Sequence, residues 1–105
     1  MRRIIVINPG ELPQVVEVPA TLKALQEAVD GYIQLFAVDG HVNFLCNDEG
    51  RLIGLPFNRT IHLSDGAEFD IYGPVVLLGG NEEVGEFESL TDTDIAEWMP
   101  KLGGE

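Results

Sequence analysis

The sequence predicts an α+β domain, a small and mostly antiparallel sheet of about five to six short strands with two helices. Three observations predict it. Short apolar runs rich in Val and Ile alternate with turn pairs such as Pro9-Gly10, Asp39-Gly40 and Asp65-Gly66, the pattern of short strands joined by tight turns. Apolar residues at helical spacing occur only near 22–29 and in the last third of the chain. The 105 residues contain neither an internal repeat nor a linker, so residues 1–105 form one domain, with an acidic loop and a C-terminal helix at 82–102.

Arg2–Ile7 is apolar and β-branched and reads as a central strand. Asn8–Pro13 turns the chain, Pro9-Gly10 suiting the two central positions of a type II turn. Gln14–Val18 returns as the second strand of a hairpin. Thr21 is placed to cap a helix over about 22–29, in which Leu22, Leu25 and Val29 share a face and which closes near Asp30-Gly31. Tyr32–Val38 and Val42–Cys46 read as strands joined at Asp39-Gly40, a pair that permits the positive φ of a tight hairpin. Asn47–Gly50 is a turn, Gly54-Leu55-Pro56 interrupts any regular strand, and Asn58–Leu63 reads as extended or irregular. After the turn at Ser64-Asp65-Gly66, Phe69–Tyr72 and Val75–Leu78 are short strands around Gly73-Pro74, the second ended by Gly79-Gly80. Thr91 caps the last helix, with Asp92 and Asp94 in its first turn, where negative charge suits the helix dipole. Ile95, Trp98, Met99 and Leu102 form its apolar stripe. Pro100 ends or kinks it, and residues 101–105 fray.

Apolar residues make up 45% of the chain and charged residues 23%, a globular balance rather than a disordered one. A chain this short buries about two thirds of its unfolded surface. That suffices for one core and leaves little room for a deep active-site cleft. The longest apolar runs, Ile4–Ile7 and Val75–Leu78, fall far short of the roughly 18 residues that span a bilayer. The basic-then-apolar start, Met1–Ile7, is too short for a signal peptide. The single cysteine, Cys46, forms no internal disulfide, and a cytoplasmic location is the natural expectation. Eighteen acids against six bases give a net charge of −12. Such a field repels nucleic acid and anionic membranes and attracts basic protein surfaces. It also serves simply to keep a small protein soluble.

Most catalytic signatures are absent. No Gly-rich loop precedes a Lys-Ser or Lys-Thr pair, and no Gly-x-Ser-x-Gly elbow occurs. Gly79-Gly80-Asn81 is better explained as a loop after a strand than as an anion nest. His41 and His62 each sit beside a turn, and Cys46 lies in an apolar strand, where cysteine behaves as an inert small hydrophobe. One cysteine and two scattered histidines do not make a zinc set. Asp48-Glu49 and Asp92-x-Asp94 do not continue into a calcium loop and read as turn and helix-start chemistry. Asn58-Arg59-Thr60 matches a glycosylation acceptor, which matters only in secreted eukaryotic proteins. The expectation is therefore a protein without a catalytic centre, cofactor or metal.

Residues 46–59 stand out. Arg51 and Arg59, two of the six bases, fall here beside Asn47 and Asn58. Arginine offers a planar fork of donors for carboxylate or phosphate, and Gly54, Leu55 and Pro56 shape the backbone between the two. The competing expectation is that Arg59 pairs with one of the many acids. The string Asn47-Asp48-Glu49-Gly50-Arg51-Leu52-Ile53-Gly54-Leu55-Pro56-Phe57-Asn58-Arg59 resembles a family found widely in bacteriophages, plasmids and other mobile elements, catalogued as domain of unknown function 3846. The opening strand and turn to Gly10, Leu25–Ile33 and Ser89–Asp92 carry the same resemblance, which covers nearly the whole chain. It implies an accessory protein of a phage or mobile element acting in a bacterial cytoplasm, and it implies no reaction.

Two functions compete. One is a binding module that sequesters a small anionic ligand such as a signalling nucleotide to counter host defence. Arg59 and Asn58 would be its donors, Asn47 and Arg51 helpers, Gly54, Leu55 and Pro56 shaping residues, and a homo-oligomeric interface one way to enlarge the pocket. The other is an inhibitor that places its acidic face, Glu82 to Glu97, on a basic nucleic-acid-binding surface of a host protein.

Overall fold

Alternation along the first strand sets the architecture. β1 (Arg2–Ile7) sends Ile5 and Ile7 into one buried cluster and Ile4 into another, as side chains of period two must. A computed structural model describes residues 2–19, 21–81 and 86–103. β1 pairs antiparallel with β2 (Gln14–Val18). Between them Glu11 N donates to Asn8 O at 3.0 Å and Gly10 has φ +76°, the bond and the left-handed position that a type II turn over Pro9-Gly10 requires.

α1 (Leu22–Ala28) begins where the Thr21 hydroxyl accepts from Ala24 N at 3.1 Å. It closes with Asp30 N donating to Glu27 O and Gly31 N to Gln26 O, the two bonds of a Schellman cap. Asp30 takes the left-handed position of that cap, with φ +62°. The chain then runs through β3 (Ile33–Asp39) and β4 (Val42–Asn47), the hairpin β5 (Phe57–His62) and β6 (Glu68–Tyr72), β7 (Val75–Asn81), β8 (Glu86–Glu88) and α2 (Asp92–Lys101).

The main sheet has the order β2-β1-β7-β4-β3, with β8 pairing the far end of β7, and every pairing is antiparallel. β7 lies between β1 and β4, so that Leu77 faces Ile5 on one side and Phe44 on the other. Its run Val75-Val76-Leu77-Leu78 lacks alternation because both faces of the sheet are covered. Val75 and Leu77 join Trp98 and Leu102 of the α2 end and Ile61 and Ile71 of the hairpin. Val76 and Leu78 join Leu25 and Val29 of the α1 end. On the α2 side Trp98 meets Phe44 edge-on at 4.9 Å. The Asp39 carboxylate accepts from Ser64 N and Oγ, at 3.0 and 2.7 Å, and ties the hairpin turn to β3.

The α+β class stands, with corrections of detail. The main sheet has six strands among the described residues, within the expected number, and the β5–β6 hairpin forms a second, two-stranded sheet. Asn58–Leu63 takes the extended of its two expected forms: Phe57–His62 is β5, with a bulge between Phe57 and Arg59. The central residues of the β3–β4 turn are Gly40 and His41, since Asp39 pairs with Val42. Gly79-Gly80 does not end β7. A β-carbon at Gly79 would lie 2.5 Å from His41 Cε1 and 2.7 Å from Ser89 O, so glycine is there for close approach within a strand. Pro100 occupies the last turn of α2 without stopping it, and Leu102 is buried rather than frayed, its N–H bonded to Trp98 O at 3.0 Å. Gly104 and Glu105 lie outside the described residues, as do Glu82 and Glu83 of the acidic run. No described helix is long and apolar enough to cross a membrane.

Candidate functional site

The segment singled out by sequence is the passage from the main sheet to the β5–β6 hairpin. Asn47 ends β4, is buried, and uses its side chain on backbone. Its Nδ2 donates to Val29 O at 3.1 Å and Asp30 O at 3.0 Å, and its Oδ1 accepts from Glu49 N at 2.8 Å. It therefore holds the C-terminal end of α1 against β4. Residues 49–55 then wind through one turn, Ile53 N donating to Glu49 O and Leu55 N to Gly50 O, both at 2.9 Å, with Gly54 at φ +78°. Leu52 and Ile53 protrude from it, 87% and 56% exposed. Leu55 packs over Gly73, and Pro56 O accepts from Gly73 N at 2.7 Å.

Asn58 and Arg59 are also committed inside the molecule. Asn58 Nδ2 donates to Ile7 O at 2.8 Å and Gly73 O at 2.9 Å, and its Oδ1 accepts from Arg59 Nε at 2.9 Å. Arg59 Nη1 donates to Leu102 O, and Nη2 to Glu11 O at 2.9 Å. Burial pushes the Arg59 pKa down from the ordinary arginine value. Its partners are backbone and amide oxygens, so the expected pairing with an acid is not the arrangement found. Arg59 joins the hairpin to the β1–β2 turn and to the residue that follows α2.

Arg51 differs. It is exposed, its guanidinium lies over the Tyr72 ring at 4.8 Å, and Nη2 donates to the Tyr72 hydroxyl at 3.2 Å. Tyr72 in turn meets Phe57 edge-on at 5.4 Å. Arg51 and Tyr72 stand at a cleft of about 370 Å³ where the hairpin meets the β3–β4 side of the main sheet. Phe36, Phe69 and Ile71 supply apolar lining, and Gln34, Asp48 and Asp70 supply polar lining. Cys46 also borders it, and burial, assisted by Asp48, pushes the thiol up to about 11, which leaves it an inert thiol at neutral pH.

A family model described as "Domain of unknown function (DUF3846)" matches residues 1–103. The chain belongs to this family. Neither curated proteins nor solved structures offer a match.

Elsewhere in the DUF3846 domain, four acids of the acidic run are partnered internally. Asp92 meets Arg3 at 2.8 Å and Glu97 meets Lys101 at 3.3 Å. Glu88 and Asp94 flank His41, whose Nε2 and Nδ1 face them at 3.3 and 2.7 Å. Asp94 is buried and completes a capping box with Thr91. His62 faces Glu68 at 3.2 Å, so neither imidazole is turned toward Cys46. Among the described residues no group of His, Cys, Asp and Glu is arranged to hold a metal ion.

Of the residues singled out by sequence, the structure brings Asn47 and Arg51 to the cleft and places Asn58 and Arg59 at the junction between the sheets. Tyr72, Gln34, Phe36, Phe69 and Asp70 are cleft residues that sequence reasoning missed. The available signal was the aromatic pair Phe69 and Tyr72 in one short strand, which by itself reads only as strand composition.

Proposed function

We propose that this DUF3846 domain is a non-catalytic binding module whose ligand is a small anion with an apolar body, such as a signalling nucleotide, seated in the cleft between the hairpin and the main sheet. The supporting observation is Arg51, whose guanidinium lies 4.8 Å over the Tyr72 ring and whose hydrogen-bond acceptor among the described residues is the Tyr72 hydroxyl. A guanidinium fixed by stacking presents its remaining N–H donors without further loss of freedom. The donor role expected of Arg59 and Asn58 passes to Arg51, because both N–H donors of Asn58 and three of the five of Arg59 are taken by backbone and amide oxygens. A phage or mobile element would use such a module in the bacterial cytoplasm to withdraw a host defence signal.

The test is thermal unfolding against a panel of linear and cyclic nucleotides, with Arg51→Ala beside the parent chain. A ligand at about one hundred times its Kd adds roughly 2.7 kcal/mol, a rise of about 10 °C or more for a domain of this size. A rise that Arg51→Ala abolishes, with the nucleotide recovered intact, is the expected outcome. Turnover of the nucleotide would reject the non-catalytic reading.

The acidic-inhibitor reading comes second. Glu88, Asp92, Asp94 and Glu97 already have partners within the chain, which leaves less unpaired charge for a basic surface. Its signature would be a salt-sensitive complex with a basic host protein.

A further inference from the structure

The charge around the cleft narrows the class of ligand. Arg51 is one cation, and Asp48 and Asp70 are two carboxylates on the same lining. Four other cations lie or are committed elsewhere. Arg3 donates to Leu90 O and meets Asp92. Arg59 is bonded to Leu102 O and Glu11 O. Lys101 meets Glu97 and lies 4.6 Å over the Trp98 ring. Lys23 rides on α1, which packs on the opposite face of the sheet from the hairpin. A second or third phosphate charge would therefore face two aspartates and a chain of net charge −12 with no further counter-charge at the cleft. The lining also carries aromatic rings: Phe36 and Phe69, which stand 5.4 Å apart at a tilt, and Tyr72, whose own ring partner is Phe57. Aromatic walls of this kind favour flat partners in offset or edge contact.

We infer that the ligand of the cleft is an aromatic monoanion, a flat ring among Phe36, Phe69 and Tyr72 with a single negative charge at the guanidinium edge of Arg51, and not a polyphosphate. The inference rests on the cleft being the binding site. Two sources share this chemistry, a cyclic nucleotide carrying one phosphodiester charge and an aromatic carboxylate.

The experiment titrates the isotope-labelled full chain at about 0.15 M salt, following backbone amide shifts. The probes are 3′,5′-cyclic AMP, indole-3-acetate, adenosine and ATP. Saturable shifts around Gln34, Asp48, Arg51 and Tyr72 are expected for at least one monoanion, with an affinity about ten-fold or more above those of ATP and adenosine. The monoanion that binds identifies the source. Arg51→Ala should remove the advantage over adenosine, and Arg51→Lys should retain part of it; Arg51 is exposed, so both chains should fold. ATP binding as tightly as the monoanions, or adenosine doing so, overturns the inference and leaves the cleft reading standing. Shifts confined to other surfaces, or none with any probe, overturn the cleft reading and the inference with it.

Discussion

Replacing Arg59 with Ala removes three hydrogen bonds at once. The bonds to Leu102 O and Asn58 Oδ1 are partly buried, and that to Glu11 O is exposed. A hydrogen bond from a charged donor contributes about 1.5–3 kcal/mol where water is excluded. The Leu102 bond sits at the low end of that range, the Asn58 bond contributes about 1 kcal/mol, and the exposed Glu11 bond less. Water reaching the freed carbonyls returns part of this, so the net loss is about 2–3 kcal/mol. For a domain of this size the melting temperature falls by roughly 10–20 °C. Urea unfolding of the variant beside the parent measures the loss directly, and amide exchange at Leu102 and Gly103 should accelerate with it. A loss below about 0.5 kcal/mol, within the range of an ordinary surface change, would refute the role as a latch. Unchanged stability combined with abolished ligand binding would restore Arg59 as a ligand donor.

Asp30→Gly should stabilise the chain by about 0.5–1 kcal/mol in urea unfolding, since Asp30 holds a left-handed cap position at φ +62° that glycine adopts without penalty. Gly79→Ala should cost more than about 2 kcal/mol, because its β-carbon would meet the Ser89 carbonyl oxygen at 2.7 Å as well as the His41 ring; a stable variant would show that β8 and the β3–β4 turn yield readily. Stability should also depend on pH through His41. Its hydrogen bonds to Asp94 and then Glu88 raise its pKa above 6.5, so its contribution is complete below about pH 6.5 and is lost as pH rises through the folded value. For Asp94, burial pulls upward but is outweighed by the Thr91 backbone and the His41 side chain, which leave it below 3.8; its contribution holds above about pH 4 and is lost on further acidification. His41→Asn should flatten the alkaline limb, by less than about 1 kcal/mol given its exposure to solvent, and an unaltered limb would place the titrating group elsewhere.

What sequence made legible was local chemistry. Pro9-Gly10, Thr21 and Thr91 act within three residues of themselves, so their turn and caps could be placed before any fold was known. Contacts made across the chain were illegible. Arg51 and Tyr72 meet over 21 positions, and nothing in either neighbourhood points to the other. From sequence Arg59 reads as a ligand donor or as the partner of one of the abundant carboxylates, yet its acceptors include main-chain carbonyls, which every residue carries and no pattern advertises. Gly79 read as a strand end because a glycine pair ordinarily marks a turn, and its actual constraint, the His41 ring, belongs to another strand connection.

The position of β7 between β1 and β4 has a consequence for how the chain acquires its structure. The β1–β2 and β3–β4 hairpins can form early from neighbouring sequence, but two-stranded hairpins are marginal alone. Each presents an unpaired edge until Val75–Asn81 arrives to join them. During synthesis the two halves must therefore wait for a strand encoded after both, and closing so long a loop is slow. A nascent chain halted before residue 75 would carry two incomplete sheets with apolar edges open to pairing with other chains.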